Sequence, residues 1–185
     1  MEKNRVYVLC WYGPFKDFAE LKEWENKKGN DTYLYIFQGK KKRAKKKTTF
    51  YCGQAFKQSA GTRMKNQNHH IKEVCDRPED LKIWVAKFEN IVPEKADVNV
   101  VENMLISYIY QYMIGKNEEV ANKTSLLAPH CQLYIINEWW DKNEKEVDLY
   151  PRGSLFSRIP DVIAFYANGS LYTSNKLSFR KELSQ

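Results

Sequence analysis

The sequence predicts one α+β domain that includes all 185 residues. Three observations favour this class. Two tyrosine-bearing runs at 32–38 and 48–54 are typical of antiparallel strands, and a run at 97–117 has the apolar periodicity of a helix. Beyond Asn122 the chain is again rich in the residue types that strands favour. The sequence contains no internal repeat and no Pro- or Ser-rich linker, so no domain boundary is expected.

A strand and a helix are predicted at the N-terminus. Residues 5–12, RVYVLCWY, are β-branched and aromatic enough for a strand, and Gly13-Pro14 is expected to end it. The segment 15–28 carries apolar side chains at helical spacing, and Gly29 is expected to close that helix. These side chains are Phe15, Phe18, Leu21 and Trp24.

The rest of the chain is predicted to contain mainly strands. The runs TYLYIFQ and TTFYCGQ form an antiparallel pair joined by a basic turn, and a helix follows over residues 59–75. The segment 81–92 is mostly apolar and is predicted to be a buried strand. Strands are also predicted at 132–140, 161–166 and 170–174, and the last two flank the hairpin turn Asn168-Gly169.

All of the excess positive charge lies in one short segment. The net charge is +7, and residues 40–47, KKKRAKKK, contain seven cations and no anion. A solvated loop is the simplest interpretation, but lysines placed on phosphates also release counterions and strengthen nucleic-acid binding. The candidate nucleic-acid-binding residues are therefore Lys40, Lys41, Lys42, Arg43, Lys45, Lys46 and Lys47.

Membrane and disulfide-framework classes are not indicated. No apolar run is long enough to span a bilayer, the N-terminus lacks a signal peptide, and the four cysteines have no Cys-x-x-Cys spacing. A reduced, cytoplasmic protein without membrane contact is expected. A mixed metal site formed by His69, Cys75, His130 and Cys131 is a less favoured alternative.

Glu102 interrupts the apolar face of the helix predicted at 97–117. Val98, Leu105 and Ile109 lie on that face at helical spacing, and Glu102 lies on or beside it. A buried carboxylate is costly unless it is protonated, paired or bound to a metal ion. Glu102 is therefore a candidate functional residue, and a border position that turns towards solvent is the alternative.

Tyrosines, an arginine, a glutamate and an asparagine follow one another in a fixed order along residues 32–125. The series consists of Tyr33-Leu34-Tyr35, Tyr51-Cys52-Gly53, Gln54, Arg63, Glu102 and Asn122. It resembles the GIY-YIG nuclease superfamily, whose two short strands carry Gly-Ile-Tyr and Tyr-Ile-Gly motifs. The resemblance implies a core at 32–125 with a small, mainly antiparallel central sheet flanked by helices. Residues 1–31 and 126–185 would add an N-terminal strand and helix and a β-rich C-terminal part.

The sequence departs from the family pattern at several positions. Tyr33 replaces the glycine of the first motif, and the loop between the motifs is long and cationic. Many members have a histidine four residues after the arginine, where this chain has Gln67. His70, or its neighbour His69, is the nearest replacement for proton transfer, and a plain surface position is the alternative for both.

The resemblance assigns a role to each remaining match. Tyr35 would orient or deprotonate the attacking water, and Tyr51 would contact the nucleophile or the phosphate. Arg63 would clamp the scissile phosphate, because its fork matches two phosphate oxygens. Glu102 would hold Mg²⁺ or Mn²⁺, and Asn122 would order the site. A free phenol has a pKa of about 10, so a tyrosine base requires nearby cations to lower that value.

The expected activity is hydrolysis of double-stranded DNA by a metal-dependent endonuclease, and a type II restriction enzyme that acts as a homodimer is the specific form considered. A module that binds nucleic acid through residues 40–47 without cleaving it is the main alternative. A protein-interaction domain is a third class. A Pro-Asp…(Asp/Glu)-x-Lys nuclease is disfavoured, because Ser174 stands where the second carboxylate would precede Lys176.

Overall fold

The computed structural model describes residues 4–29, 31, 33–41, 47–66, 69–115, 118–122, 132–145, 155 and 158–175. The strands are β1 (Arg5–Phe15), β2 (Leu34–Lys41), β3 (Lys47–Gln54), β4 (Lys82–Phe88), β5 (Glu118–Val120), β6 (Leu133–Trp140), β7 (Val162–Phe165) and β8 (Leu171–Ser174). The helices are α1 (Phe18–Lys28), α2 (Ala60–Asn66), α3 (His69–Val74) and α4 (Lys95–Tyr108). A 3₁₀ turn at Pro78–Asp80 precedes β4, and a π-helical turn at Ile109–Met113 extends α4.

The eight strands form one mixed sheet in the order β5-β3-β2-β4-β1-β6-β7-β8. Neighbours pair antiparallel except at β1–β6 and β3–β5, which pair in parallel. The expectation of a small, mainly antiparallel sheet flanked by helices is therefore wrong. The N-terminal strand, expected to lie outside the core, inserts between β4 and β6 and joins the tyrosine strands to the C-terminal strands.

Strand β1 continues through Gly13-Pro14, where the sequence was expected to end it. The Gly13–Pro14 peptide bond is cis, and the pairing of β1 with β4 shifts register between Tyr12 and Phe15. Gly13 has a φ of 142°, and a Cβ there would lie 2.7 Å from the carbonyl oxygen of Ile83. Glycine thus lets the strand bend against β4 and resume pairing at Phe15.

The two faces of the sheet pack against different helices. The α4 core joins α4 to one face and contains Leu34, Ile36, Phe50, Cys52, Trp84, Val98, Val101 and Leu105. The α1–α3 core covers the other face and contains Phe15, Leu21, Tyr35, Phe37, Val74, Ile83 and Val85. Successive side chains of a strand point to opposite faces, so Tyr35 and Ile36 enter different cores.

The helices lie near the predicted positions, but their bounds differ. Helix α1 begins at Phe18, because Phe15 belongs to β1, and α4 with its π-helical turn ends at Met113 and not at residue 117. Asp17 caps α1 through the backbone N–H of Glu20, and Gly29 ends that helix, as the sequence predicted. The helix predicted at 59–75 is two short helices, α2 and α3. In the described part of the chain, no helix combines the length and apolarity needed to cross a membrane.

Candidate active site

The two motif tyrosines come together through the pairing of β2 with β3. In that register Tyr35 is opposite Gly53, and Phe37 is opposite Tyr51. The rings of Tyr35 and Tyr51 stack with centroids 6.1 Å apart and planes 11° apart. Both side chains lie on the face of the sheet that α2 and α3 cover. There Tyr35 is buried and Tyr51 is half-buried.

Gly53 makes room for the phenol of Tyr35. A Cβ at this position would lie 2.5 Å from Cζ, 2.6 Å from the hydroxyl oxygen and 2.7 Å from Cε2 of Tyr35. The phenol therefore crosses directly over the glycine instead of being held away by a cross-strand side chain. This explains why a glycine is required beside Tyr35 on structural grounds alone.

Arg63 meets Tyr35 from helix α2. Its guanidinium lies within hydrogen-bonding range of the Tyr35 hydroxyl. The Nε atom of Arg63 is buried and has no hydrogen-bond partner among the described residues. Since a buried guanidinium N–H without an acceptor is costly, this donor is well suited to an anionic ligand oxygen.

Glu102 approaches the same place from α4, on the other side of the sheet. It is half-buried, and its Oε2 accepts a hydrogen bond of 2.7 Å from Nε2 of Gln54, the last residue of β3. Gln54 Nε2 also donates to Asn99 Oδ1, and Gln54 Oε1 accepts from Lys95 Nζ. Within the described ranges no ion pair neutralises Glu102, which agrees with the border position considered from helical geometry.

Electrostatic coupling joins these groups across the end of β3. The charge of Glu102 acts on both Tyr35 and Tyr51, and the charge of Arg63 acts on Tyr35 and Glu102. Tyr35, Tyr51 and Arg63 therefore interact on the α1–α3 side of the sheet, and the Glu102 carboxylate acts on both phenols from the α4 side.

Both phenols of the candidate site have raised pKa values. Burial raises the pKa of Tyr35, and the nearby Arg63 opposes this shift without cancelling it. Burial also raises the pKa of Tyr51, and Tyr35 and Glu102 add to that shift. Arg63 alone does not lower the pKa of Tyr35, because desolvation exceeds its attraction; the lowering expected from Arg63 together with a bound metal ion stays a prediction. Both tyrosines are neutral phenols at pH 7.

Burial also raises the pKa of the Glu102 carboxyl. The hydrogen bond from Gln54 and the charges of Lys95 and Arg63 act in the opposite direction. A carboxylate that is partly desolvated and not neutralised by an ion pair is a favourable ligand for a cation.

At the edge of β3, the side chain of Asn122 makes the two backbone hydrogen bonds that a neighbouring strand would make. Strand β5 pairs with β3 only from Thr48 to Phe50. Beyond that point Asn122 Oδ1 accepts from the Cys52 backbone N–H at 3.2 Å, and Asn122 Nδ2 donates to the Cys52 carbonyl. The side chain fixes the backbone between Tyr51 and Gly53, which fits the ordering role and leaves no reactive atom near the phenols.

Several candidate residues lie wholly or partly outside the described residues. Lys42, Arg43, Lys45 and Lys46 do so entirely, as do the alternative ligands His130 and Cys131 and the lysine of the second nuclease pattern, Lys176. His69 and His70 begin helix α3 and Lys47 begins β3, but the description does not extend to their side chains. Lys40 is exposed and Lys41 is half-exposed at the end of β2, on the path towards the cationic segment.

A second group of potential metal ligands lies across the sheet. The Cys10 thiol and the carboxylates of Glu89 and Glu138 offer atoms that all lie within 4.8 Å of one another. Cys10 Sγ donates to Glu89 Oε2 at 2.9 Å and approaches Glu138 Oε2 at 3.5 Å. Sequence reasoning missed this group, because only the parallel pairing of β1 with β6 places Cys10 beside Glu138.

Two lysines beside the site were also missed. Lys57 and Lys95 lie over the ring of Phe56, which follows β3. Lys95 is far from the tyrosine motifs in sequence, so its proximity depends on the packing of α4 against β3. The sequence gives no signal for it beyond an exposed lysine at a helix start.

Comparisons with family models, with curated proteins and with solved structures found no match for this chain. The resemblance to the GIY-YIG superfamily therefore stays a prediction. The functional argument depends on the geometry of the described residues.

Proposed function

We propose that this protein is a divalent-metal-dependent endonuclease that hydrolyses phosphodiester bonds of double-stranded DNA. One observation supports the proposal: two neutral phenols lie beside a guanidinium with an unused buried donor, and a half-buried carboxylate acts on them electrostatically from α4. A phosphodiester needs such a set, because its hydrolysis requires an oriented water and stabilisation of growing negative charge on the phosphate.

Each side chain has a distinct role in this proposal. Arg63 binds the scissile phosphate, with its buried Nε directed to one phosphate oxygen and its terminal nitrogens shared with Tyr35. Tyr35 and Tyr51 stay protonated and orient the attacking water by hydrogen bonds, because their raised pKa values disfavour direct proton removal. Asn122 and Gly53 keep the backbone beneath the phenols in place.

The residues present fit a hard divalent cation such as Mg²⁺ or Mn²⁺. Glu102 would hold the ion, since magnesium prefers oxygen ligands and uses few carboxylates when substrate phosphate completes its shell. When bound, the ion supplies Lewis-acid stabilisation of the phosphate and the leaving oxygen. Gln54 orients the Glu102 carboxylate through its 2.7 Å hydrogen bond.

The main alternative is nucleic-acid binding without cleavage. A surface Glu102 held in a salt bridge would favour that alternative, whereas the half-buried, unneutralised position favours cleavage. The cationic segment at 40–47 fits both proposals, because it begins where β2 leaves the sheet. The proposal also includes a cytoplasmic location, a homodimeric state and a role in restriction. These three properties go beyond the site itself.

The test is cleavage of supercoiled plasmid by the purified full chain. We expect nicked or linear product with Mg²⁺ or Mn²⁺ and no product with EDTA. Glu102→Gln should abolish cleavage while DNA affinity, measured in Ca²⁺, changes less than threefold. Asn99→Ala is the matched control, because it removes another side chain that Gln54 contacts but no carboxylate.

Intact plasmid with every divalent ion tried, together with salt-sensitive DNA binding, would leave the binding module as the function. Absence of both cleavage and DNA binding would refute nucleic-acid function altogether. Cleavage that persists in Glu102→Gln would show that the activity belongs to another site or to a contaminant.

A further inference from the structure

Two lysines beside Glu102 share one aromatic ring. The Nζ of Lys57 is 5.8 Å and the Nζ of Lys95 is 5.7 Å from the centroid of Phe56. Lys57 adopts a positive φ of 60°, which is uncommon outside glycine, so the turn after β3 holds it in an unusual conformation. Phe56 in turn contacts Tyr33, with centroids 6.3 Å apart.

Neither of these two lysines forms an ion pair in the described part of the chain, although the charge of Lys95 does act on Glu102. Both side chains are exposed. Other lysines of the same chain form ion pairs at 2.6–2.7 Å, namely Lys27, Lys28, Lys87 and Lys142. The Phe56 ring attracts both ammonium groups without cancelling their charge.

A chain of hydrogen bonds connects this pair to the proposed active site. Lys95 donates to Gln54 Oε1, and the amide nitrogen of the same Gln54 donates to Glu102. The Lys95 ammonium group is thus one side chain away from the carboxylate, and Lys57 is linked to it only through the shared Phe56 ring. They lie beyond the end of β3, on the side away from the α1–α3 core that contains Tyr35.

We infer that Lys57 and Lys95, held by Phe56, form a second phosphate subsite next to the proposed active site. The subsite would bind a backbone phosphate that neighbours the scissile one, so the substrate class is a polynucleotide strand and not a small diester. This inference rests on the proposed function. Its physical basis is that uncompensated ammonium groups gain most from phosphate contact, through release of condensed counterions.

The experiment compares two substrates that differ in the number of phosphates. Bis(p-nitrophenyl) phosphate has one diester phosphate, whereas a short duplex oligonucleotide has several. For Lys57→Ala and Lys95→Met we expect the ratio of kcat/KM for the duplex to kcat/KM for the small diester to fall about tenfold. The slope of log Kd against log salt for the duplex, in Ca²⁺, should decrease by about 1 for each lysine removed.

Matched controls remove the same charge elsewhere. Lys16→Ala and Lys145→Ala neutralise exposed lysines between β1 and α1 and after β6, and both should keep the wild-type ratio and salt slope. Lys95→Arg keeps the charge and should restore most of the ratio.

An equal loss of activity on both substrates would overturn the subsite, because the lysines would then act only through Glu102. A wild-type ratio in Lys57→Ala and Lys95→Met would overturn it as well. If the wild-type protein cleaves neither substrate, the proposed nuclease fails, and the salt slope alone then decides the subsite. An unchanged slope, or no binding, refutes it, and a reduced slope supports it as a binding feature.

Discussion

Replacement of Gly53 by alanine should push the Tyr35 phenol out of the candidate site. The new Cβ would lie 2.5–2.7 Å from three atoms of that phenol. Ordinary carbon contacts are about 3.5–4.0 Å, so the ring must move by roughly 1 Å or more. Overpacking of this kind costs about 1–3 kcal/mol, and 2 kcal/mol in a chain of this size corresponds to a loss of about 4–8 °C in Tm.

A double-mutant cycle isolates the clash from other effects. In a Tyr35→Leu background the three ring atoms are absent, so Gly53→Ala should be neutral or stabilising by about 0.5–1 kcal/mol, as expected for alanine in a strand. The measurement is the free energy of unfolding in urea for the wild type, both single variants and the double variant. Gly115→Ala serves as the control, because its nearest neighbour is Glu118 Oε2 at 3.2 Å, a much milder contact than the 2.5 Å at Gly53.

One outcome of this double-mutant cycle would refute the predicted clash between the Cβ of Gly53→Ala and the Tyr35 phenol. An equal cost of Gly53→Ala in both backgrounds would show that the clash with Tyr35 does not exist. Under the proposed function, Gly53→Ala should also lower the rate of plasmid cleavage, since the displaced phenol loses its position beside Arg63. Normal cleavage by a destabilised Gly53→Ala would separate the packing from the catalytic role of Tyr35.

Three further substitutions test other contacts. Arg63→Lys should lower kcat/KM on plasmid about 100-fold with little change in Tm, because lysine keeps the charge but not the fork; wild-type kinetics would contradict the clamp. Asn122→Ala should cost about 1–3 kcal/mol and speed hydrogen exchange of the Cys52 amide, and unchanged exchange would contradict the strand-like pairing. The hydrogen bonds from Arg158 lower the pKa of Glu118 despite its partial burial. Their contribution is therefore present above the unfolded pKa of about 4.3 and lost as the pH falls through the folded value. The difference in unfolding free energy between wild type and Glu118→Gln should shrink from pH 7 to pH 3, and a constant difference would exclude the linkage.

Local sequence patterns predicted most elements correctly. Strands β1, β2, β3, β4, β6, β7 and β8 and helices α1 and α4 lie where composition and periodicity placed them. Such patterns depend on neighbours a few residues apart, which fix the period of burial. They carry no information about which strand pairs with which.

The predicted arrangement of the strands was wrong because local patterns do not show which strands pair. The parallel register of β1 with β6 joins Arg5 to Leu133 and Tyr12 to Trp140, across most of the chain. The continuous apolar character of 5–12 is what a strand buried on both faces requires, and this signal was available. This apolar run alone did not distinguish a central strand of the sheet from an edge strand.

The candidate site stays a prediction. Tyr35 and Tyr51 stack on the α1–α3 side of the sheet, and the charge of Glu102 acts on both phenols from α4. The direction of the phenol pKa shifts was not predicted, because it depends on how deeply each ring is buried. A sequence gives the charges of neighbours but not the desolvation that opposes them.

The outer strands of the sheet are short. In the part of the chain that the structure describes, β5 has three residues and β8 has four, whereas the interior strand β1 has eleven. Where β5 ends, Asn122 already occupies the hydrogen-bonding groups of Cys52. Little free backbone is left to template another chain, which protects the protein against edge-to-edge aggregation. A homodimer would consequently have to join through side-chain surfaces and not by extending the sheet from one subunit into the next.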